Sequence, residues 1–463
     1  MMITKKLFSH VRFPIIITPI ILLLPFLVTG KTLFWGTPSL QFIPWRAYAL
    51  EQLLSGVFPL WNPLNGMGAP LLANYQIALF YPPSWFLLII GWIADVTWLA
   101  WAHTVLALCH IIWAGIGMAE LMKKLGIGKL SQSISGVSFA VCGYFIARLG
   151  FFSMIWAGAW IPWILLTACV IAYPGIEKDQ KLIKGVKGKL FPLIICITMQ
   201  LLAGHAQLTW YSLLLSFCWI LIGGWNNGTV RSAILGTIRF MKAVFIAILL
   251  SSIQLIPTAE YLVESHRSSA VDFEMAMTYS FWPWRFLTLL APNLFGNPGN
   301  GDYWGYASFW EDAIYIGVLP FILALITLPL LWSKKNSDDR IRPIVRFLWS
   351  FALISIILSL GKNTPIFPLL YQNIPTFDMF NAPARYLIWF EFSIVMLSGI
   401  GFIYWKKPSG KGLYWLRLGT AGGFAVTLGA FMTSYAMQNV KSTLIQATAM
   451  AGVWLLGVGI LTM

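Results

Sequence analysis

Charge is what this sequence has least of. Only 10% of its 463 residues are Asp, Glu, Lys or Arg, whereas 58% are apolar and the mean hydropathy is +0.75. A soluble domain needs roughly a quarter to a third of its surface charged, so a soluble globular class is excluded. Acids are scarcer still, 16 against 31 Lys and Arg, which leaves a net charge of +15. The basic residues fall in short clusters between apolar runs, the pattern of membrane topology signals and not of a nucleic-acid surface. Cysteine is also sparse. Cys109, Cys142, Cys169, Cys196 and Cys218 sit inside apolar runs without CxxC or Cys/His spacing. That excludes a disulfide framework and a zinc site, and leaves buried inert thiols.

What is present is a series of apolar stretches. A helix rises about 1.5 Å per residue, so spans are expected over residues 13–29, 96–122, 133–149, 155–173, 190–203, 208–223, 243–258, 313–332, 347–360, 386–405, 418–437 and 444–461. The fold class expected is therefore all-α: a polytopic transmembrane bundle of about 12 spans, forming a single integral membrane domain over residues 1–463. The first stretch carries Pro14, Pro19 and Pro25 and lacks a small-residue cleavage site, so it reads as a retained span. Residues 190–203 and 347–360 are short for a hydrocarbon core of about 30 Å, which suits either helices that end inside the bilayer at a cavity or helices whose ends lie beyond these bounds.

Lys and Arg set the orientation. With the N-terminus inside, Lys5, Lys6 and Arg12 are cytoplasmic, followed by Lys123, Lys124 and Lys129, then Lys178, Lys181, Lys184, Lys187 and Lys189. Arg231, Arg239 and Lys242 come next, then Lys334, Lys335, Arg340, Arg342 and Arg346, and last Lys406, Lys407, Lys411 and Arg417. Every alternate loop is basic, as the positive-inside rule requires. Both termini are expected in the cytoplasm of a multi-pass cell-membrane protein. The loops facing the other way, 30–95, 259–312 and 361–385, are long and carry most of the carboxylates. Long loops in a compact protein are functional or disordered, and these are too apolar for disorder. They are expected to form part of an outer cap and the active-site face.

Several short patterns recur along those loops. The first reads Gly36-Thr-Pro-Ser-Leu-Gln41-Phe-Ile-Pro44-Trp-Arg46, then Gly56-Val-Phe-Pro-Leu-Trp61-Asn62-Pro63 and Gly66-Met-Gly68-Ala-Pro70. Later come Gly204-His205-Ala-Gln207, Gln254-Leu-Ile-Pro257-Thr-Ala-Glu260, Pro292-Asn-Leu-Phe-Gly296, Glu311-Asp-Ala-Ile-Tyr315-Ile-Gly317 and Phe380-Asn-Ala-Pro383-Ala-Arg385. In these motifs, and in their order from about Phe13 to Gly401, the chain resembles the YfhO-like family of bacterial membrane proteins. That family looks like part of the GT-C type of membrane glycosyltransferases. The resemblance implies a GT-C-like fold and a hexosyltransferase acting on the outer face of the membrane. Its donor would be a sugar on a polyprenyl phosphate, and its acceptor a cell-envelope polymer, glycolipid or protein. Its partners would be these and the lipid bilayer, not nucleic acid. Members of the family are longer, so the chain reads as a short member or a piece. The family commonly has Asp four residues before Gln41, where this chain has Thr37. Either another acid does the work or the chain has lost activity.

Sugar transfer from a phosphate-linked donor needs a base for the acceptor hydroxyl and cations for the departing phosphate. Glu311, Glu260 and Glu51 are the candidate bases. Glu311 is favoured because it joins an aromatic stretch (Tyr303, Trp304, Tyr306, Phe309, Trp310) to an apolar span. The adjacent Asp312 is the candidate to hold a divalent cation with it, although no acid spacing specifies a metal. Arg385, Arg267 and Arg46 are candidate phosphate ligands because a guanidinium fork suits phosphate. The ordinary alternative is an interfacial arginine reaching toward lipid head groups. His205 and Gln207, in a tight turn between spans, either contact a sugar or acceptor or cap helix ends. Gln41 and Asn62 complete the substrate-facing set. A transporter or flippase would instead place ionisable groups midway along spans. His103 and His110, seven residues apart, and Glu391 are the groups so placed. A catalytically inactive assembly subunit is the other alternative, raised by Thr37.

Overall fold

The computed structural model describes residues 11–33, 36–172, 186–226, 230–265, 271–305, 308–332, 341–406, 409–436 and 442–462. Arg267, Tyr306 and the basic residues Lys5, Lys6, Lys178, Lys181, Lys184, Lys334, Lys335, Arg340 and Lys407 lie outside them. The described chain is helical apart from one antiparallel pairing, with Trp61 opposite Pro70 and Asn62 opposite Ala69. It divides into two compact units, residues 1–140 with 148–270 and residues 141–147 with 271–463.

The helices begin with α1 (Arg12–Thr29), α2 (Ile43–Leu54), α3 (Trp85–Ile93), α4 (Val96–Lys124), α5 (Lys129–Ala140) and α6 (Gly143–Ala147). Of these, α6 belongs to the second unit. The first unit continues with α7 (Phe152–Gly158), α8 (Ile161–Ala172), α9 (Val186–Leu202), α10 (Ala206–Asn226), α11 (Val230–Leu250) and α12 (Ser252–Val263). Its axis is α4. The Asp95 carboxylate accepts from the Thr97 and Trp98 amides at 2.7 and 3.1 Å, and Lys123 and Lys124 occupy the last turn. An acid at the start and bases at the end both suit the helix dipole. A Cβ on Gly115 would lie 2.7 Å from the Gly136 carbonyl, so the two glycines let α4 and α5 touch backbone to backbone, the small-residue contact that helices use in lipid. Glu120 of α4 binds Arg12 at 2.8 Å and Lys123 at 3.2 Å, while the Ser133 hydroxyl donates to the Val11 carbonyl at 3.1 Å. The start of α1 thus meets the end of α4. Arg12 and Lys123, assigned to the same side by charge alone, are neighbours.

The second unit adds α13 (Phe273–Met277), α14 (Val318–Leu325), α15 (Ile341–Ser359), α16 (Ile366–Asn373), α17 (Leu387–Tyr404), α18 (Gly410–Ala436) and α19 (Ser442–Thr462). Its centre is α17, with 89% of the span window over Pro383–Tyr404 buried, and α14 and α15 pack against it while α18 pairs with α19. The Gly143 amide donates to the Tyr315 carbonyl at 2.6 Å. The Tyr144 amide faces both oxygens of Glu391 at 3.2 Å. These contacts hold the short α6 in place.

Nine helices among the described residues are long and apolar enough to cross a membrane, and Pro82–Ile93, Leu190–Leu202 and Val318–Leu331 are shorter apolar ones. The span expected at 243–258 is displaced. The membrane-length helix there is α11, which starts at Val230 and stops before a turn at Ser251. Its buried residues Ala233, Gly236, Phe240, Ala243 and Ala247 recur every three or four positions. That stripe carries the helix through Arg239, which is half-buried, and Lys242, which is exposed. The two stretches that seemed too short are longer as helices, 17 residues in α9 and 19 in α15. Polar and proline residues had hidden their first turns. The segment 30–95 contains α2 and the apolar α3, so it is mostly folded chain.

Candidate functional site

In the second unit the chain builds toward Glu311 through a closed aromatic loop. The Trp304 amide donates to the Phe295 carbonyl at 2.9 Å and the Asn297 amide to the Asp302 carboxylate at 2.8 Å. Gly296 has φ +81, and a Cβ there would lie 2.3 Å from the Asp302 carbonyl, so only glycine lets the loop close. Phe295 and Trp304 meet at 5.0 Å, Tyr303 and Phe309 at 5.8 Å. The Ser308 carbonyl then accepts from the Asp312 amide at 3.3 Å, and the Ser308 hydroxyl faces the Glu311 amide at 3.4 Å.

Arg385 reaches Glu311 from a 3-10 turn (Pro383–Tyr386) that leads into α17. Ala382, just before it, adopts the left-handed conformation with φ +62, and its carbonyl accepts from the Arg385 amide at 3.0 Å. The Arg385 Nε and Nη2 both donate to Glu311 Oε1, at 2.9 and 2.6 Å. Nη1 faces Asn381 Oδ1 at 3.5 Å. The Arg385 side chain is 18% exposed, whereas Glu311 is buried, its side chain 9% exposed.

The neighbouring acid takes a different arginine. Asp312 Oδ2 lies 3.1 Å from Arg285 Nε, with side-chain exposures of only 3% and 2%. The Arg285 guanidinium lies 4.4 Å from the Phe295 ring centroid, and its Nη2 donates to the Tyr303 hydroxyl at 3.2 Å. Burial pushes the Tyr303 phenol up; Arg285 opposes this and Asp312 adds to it. Among the described residues no group of three or more His, Cys, Asp and Glu converges as a metal site. Glu311 and Asp312, considered together for a divalent cation, each face an arginine.

The candidates of the first unit are placed differently. Arg46 on α2 is 2% exposed. Its Nη2 donates to the Ile77 carbonyl at 2.8 Å, its Nη1 faces the Phe42 carbonyl and His103 Nε2 at 3.4 and 3.3 Å, and the guanidinium lies over Trp156 at 4.7 Å. Burial lowers it to about 9. Asn62 is buried in the β-pair, and its side-chain carbonyl accepts from the Leu64 amide at 2.9 Å. Gln41 is half-buried in a π-helical turn (Pro38–Phe42) for which Thr37 is the N-cap position. The His205 Nδ1 faces the Leu208 amide at 3.3 Å, a helix-start cap, and Gln207 donates to the Tyr211 hydroxyl at 2.9 Å. Glu51 and Glu260 are exposed on α2 and α12.

Three motifs of this unit do come together. The Tyr75 hydroxyl donates to the Leu201 carbonyl, the Gln254 amide to the Leu72 carbonyl at 2.9 Å, and a Cβ on Gly204 would meet the Tyr75 carbonyl at 2.5 Å. Sequence reasoning overlooked Arg148, which is 1% exposed. Its signal was a lone charge between two apolar runs.

The fold and this site define a polytopic α-helical membrane protein with an acid–arginine pair, Glu311 and Arg385, in its second unit. The chain belongs to the YfhO family of bacterial membrane proteins, whose profile matches residues 12–463. A comparison with curated protein sequences finds no match. Among solved structures, the chain is similar to ArnT from Cupriavidus metallidurans bound to undecaprenyl phosphate. The identity is 12% and the TM-score 0.43, and the match covers 90% of this chain and 72% of that one.

Proposed function

We propose that this chain is a GT-C-type membrane glycosyltransferase, moving a hexose from a polyprenyl-phosphate donor to a cell-envelope polymer, glycolipid or protein on the outer face. The observation that carries the reading is the Glu311–Arg385 pair. An acid able to take a proton and a guanidinium fork suited to phosphate sit side by side at the entry to the most buried span, next to an aromatic loop. The acceptor hydroxyl oxygen attacks the anomeric carbon, and its proton passes to Glu311. The bond between that carbon and the phosphate oxygen breaks, and the electron pair leaves on the phosphate, which Arg385 stabilises. No step is routed through a metal, because both acids face arginines. The orientation that goes with this reading has both termini in the cytoplasm and residues 40–80 and 265–305 outside. Cysteine labelling of intact cells tests it, and labelling near residue 185 without labelling near residue 300 overturns it.

The transfer assay uses labelled prenyl-phosphate sugars with envelope acceptors. Glu311→Gln keeps the size of the side chain and removes the base, so transfer should fall by about 10²–10⁴-fold. Full transfer by this variant rejects the assignment. Thr37 supports a second reading, an inactive assembly subunit, since the helical turn is present while the family's common acid is absent. Activity found only in Thr37→Asp establishes that reading. Transport gains no support from the groups midway along the spans. His103 and His110 each place Nδ1 at 2.8 and 2.7 Å from the carbonyl four residues earlier. That fixes the proton on Nδ1 and leaves Nε2 as acceptor for Arg46 and Tyr81, while Glu391 faces the Tyr144 amide.

A further inference from the structure

We propose that the Glu311 carboxylate stands in for the anionic oxygen of a phosphate ligand on Arg385, so that the ligand binds by displacing it. This rests on the phosphate-binding role given to Arg385 above, and it adds that the base and the ligand compete for one guanidinium.

The geometry carries the argument. Nε and Nη2 of Arg385 converge on one oxygen, Glu311 Oε1, at 2.9 and 2.6 Å. These are the two donors on one edge of the guanidinium, the edge that grips a phosphate or carboxylate through parallel hydrogen bonds. A phosphate reaching that edge takes over the donors now held by Glu311. The exchange replaces one anion by another on the arginine, and the cost of parting the Glu311 carboxylate from its cation is what the ligand's binding must offset. The Arg385 side chain is 18% exposed against 2% for Arg285, so of the two guanidiniums it is the one open to a ligand. Asn381 Oδ1 faces Nη1 and keeps the guanidinium oriented while its other edge changes partner. The consequence is a coupling between binding and chemistry. Before the ligand arrives, the oxygen that would take a proton is held by two N–H donors. Once phosphate occupies Arg385, the carboxylate is released beside the bound donor sugar.

A competing internal anion lowers the apparent affinity of the ligand by the fraction of molecules in which the arginine is engaged. Removing it therefore tightens binding, the opposite of removing a contact. The probe is farnesyl phosphate in detergent, with farnesol and inorganic phosphate as separate arms that distinguish a lipid head group from free phosphate. Glu311→Gln should bind farnesyl phosphate about tenfold more tightly than wild type, and Arg385→Ala should lose that binding. On wild-type protein, carbodiimide modification of Glu311, read by mass spectrometry, should rise with farnesyl phosphate and not with farnesol. This measurement keeps the test valid if a variant fails to fold. Equal or weaker binding by Glu311→Gln, or modification unchanged by the phosphate lipid, overturns the exchange. So does normal binding by Arg385→Ala. Tighter binding by Glu311→Gln, with no sugar transfer by the wild-type protein, rejects the transferase reading and leaves the exchange standing.

Discussion

Two adjacent acids, Glu311 and Asp312, each face an arginine, yet the two pairs belong to different physical regimes. Arg285 and Asp312 are 2% and 3% exposed, with an aromatic ring against the guanidinium and a phenol at its edge. Arg385 and Glu311 are 18% and 9% exposed, at the start of a span. Desolvation has already been imposed on the first pair, so its value lies in staying complete. In the second the arginine keeps some contact with the outside, which is what the proposed exchange of partners requires. Charge alone does not separate the two pairs; the exposure of the arginine does.

That comparison breaks first under substitution of the buried pair. Removing one member leaves an uncompensated buried charge, which typically costs about 3–5 kcal/mol. Asp312→Ala and Arg285→Ala should each lower the thermal midpoint in detergent strongly. The joint replacement Arg285→Met with Asp312→Leu should recover much of the loss, because a buried pair exchanged for packed apolar side chains is often neutral. Glu311→Gln should shift the midpoint far less while removing transfer. If Glu311→Gln unfolds the protein as severely as Asp312→Ala, the two pairs are of one kind and the division above fails.

Arg46 extends the contrast to the first unit. It was a candidate phosphate ligand because a guanidinium fork suits phosphate, but its donors face the Ile77 and Phe42 carbonyls and its face lies on Trp156. Arg46→Met keeps most of the stem and should cost about 1–3 kcal/mol through the buried acceptors it strands. Its effect on farnesyl phosphate binding should be small. A tenfold loss of that binding in a variant with an unchanged midpoint would move Arg46 back into the site.

The membrane class and most spans were legible in the sequence, because hydropathy and basic clustering act locally. The displaced span at α11 was not, since the helix runs on through Arg239 and Lys242, and a hydropathy reading stops at them. Glu311 and Arg385 were each named from the sequence, but their 74-residue separation hid the pairing. Asp312 was read as a cation ligand because it is next to Glu311. Neighbours in sequence turn out to face separate arginines, which depends on the fold of the Phe295–Trp310 loop. His205 was left between contacting substrate and capping a helix, and Nδ1 faces the Leu208 amide as a cap does.

The smallest effects belong to Glu51 and Glu260, and they test the accessibility argument from its other end. Both are exposed on helices, and neither forms an ion pair among the described residues. Exposure makes them reachable, but reach is only half of what the Glu311 position offers. In the proposed site the acid stands next to an arginine that can receive the leaving phosphate, and neither of these two glutamates has such a cation paired with it among the described residues. Surface substitutions away from special features usually change stability by less than about 0.5 kcal/mol, so Glu51→Gln and Glu260→Gln should leave the thermal midpoint unchanged. Transfer should stay within about twofold of wild type, against the loss of about 10²–10⁴-fold expected for Glu311→Gln. A hundredfold loss in Glu260→Gln with Glu311→Gln fully active would place the base in the first unit. It would show that a lone exposed carboxylate, with no arginine held beside it, suffices.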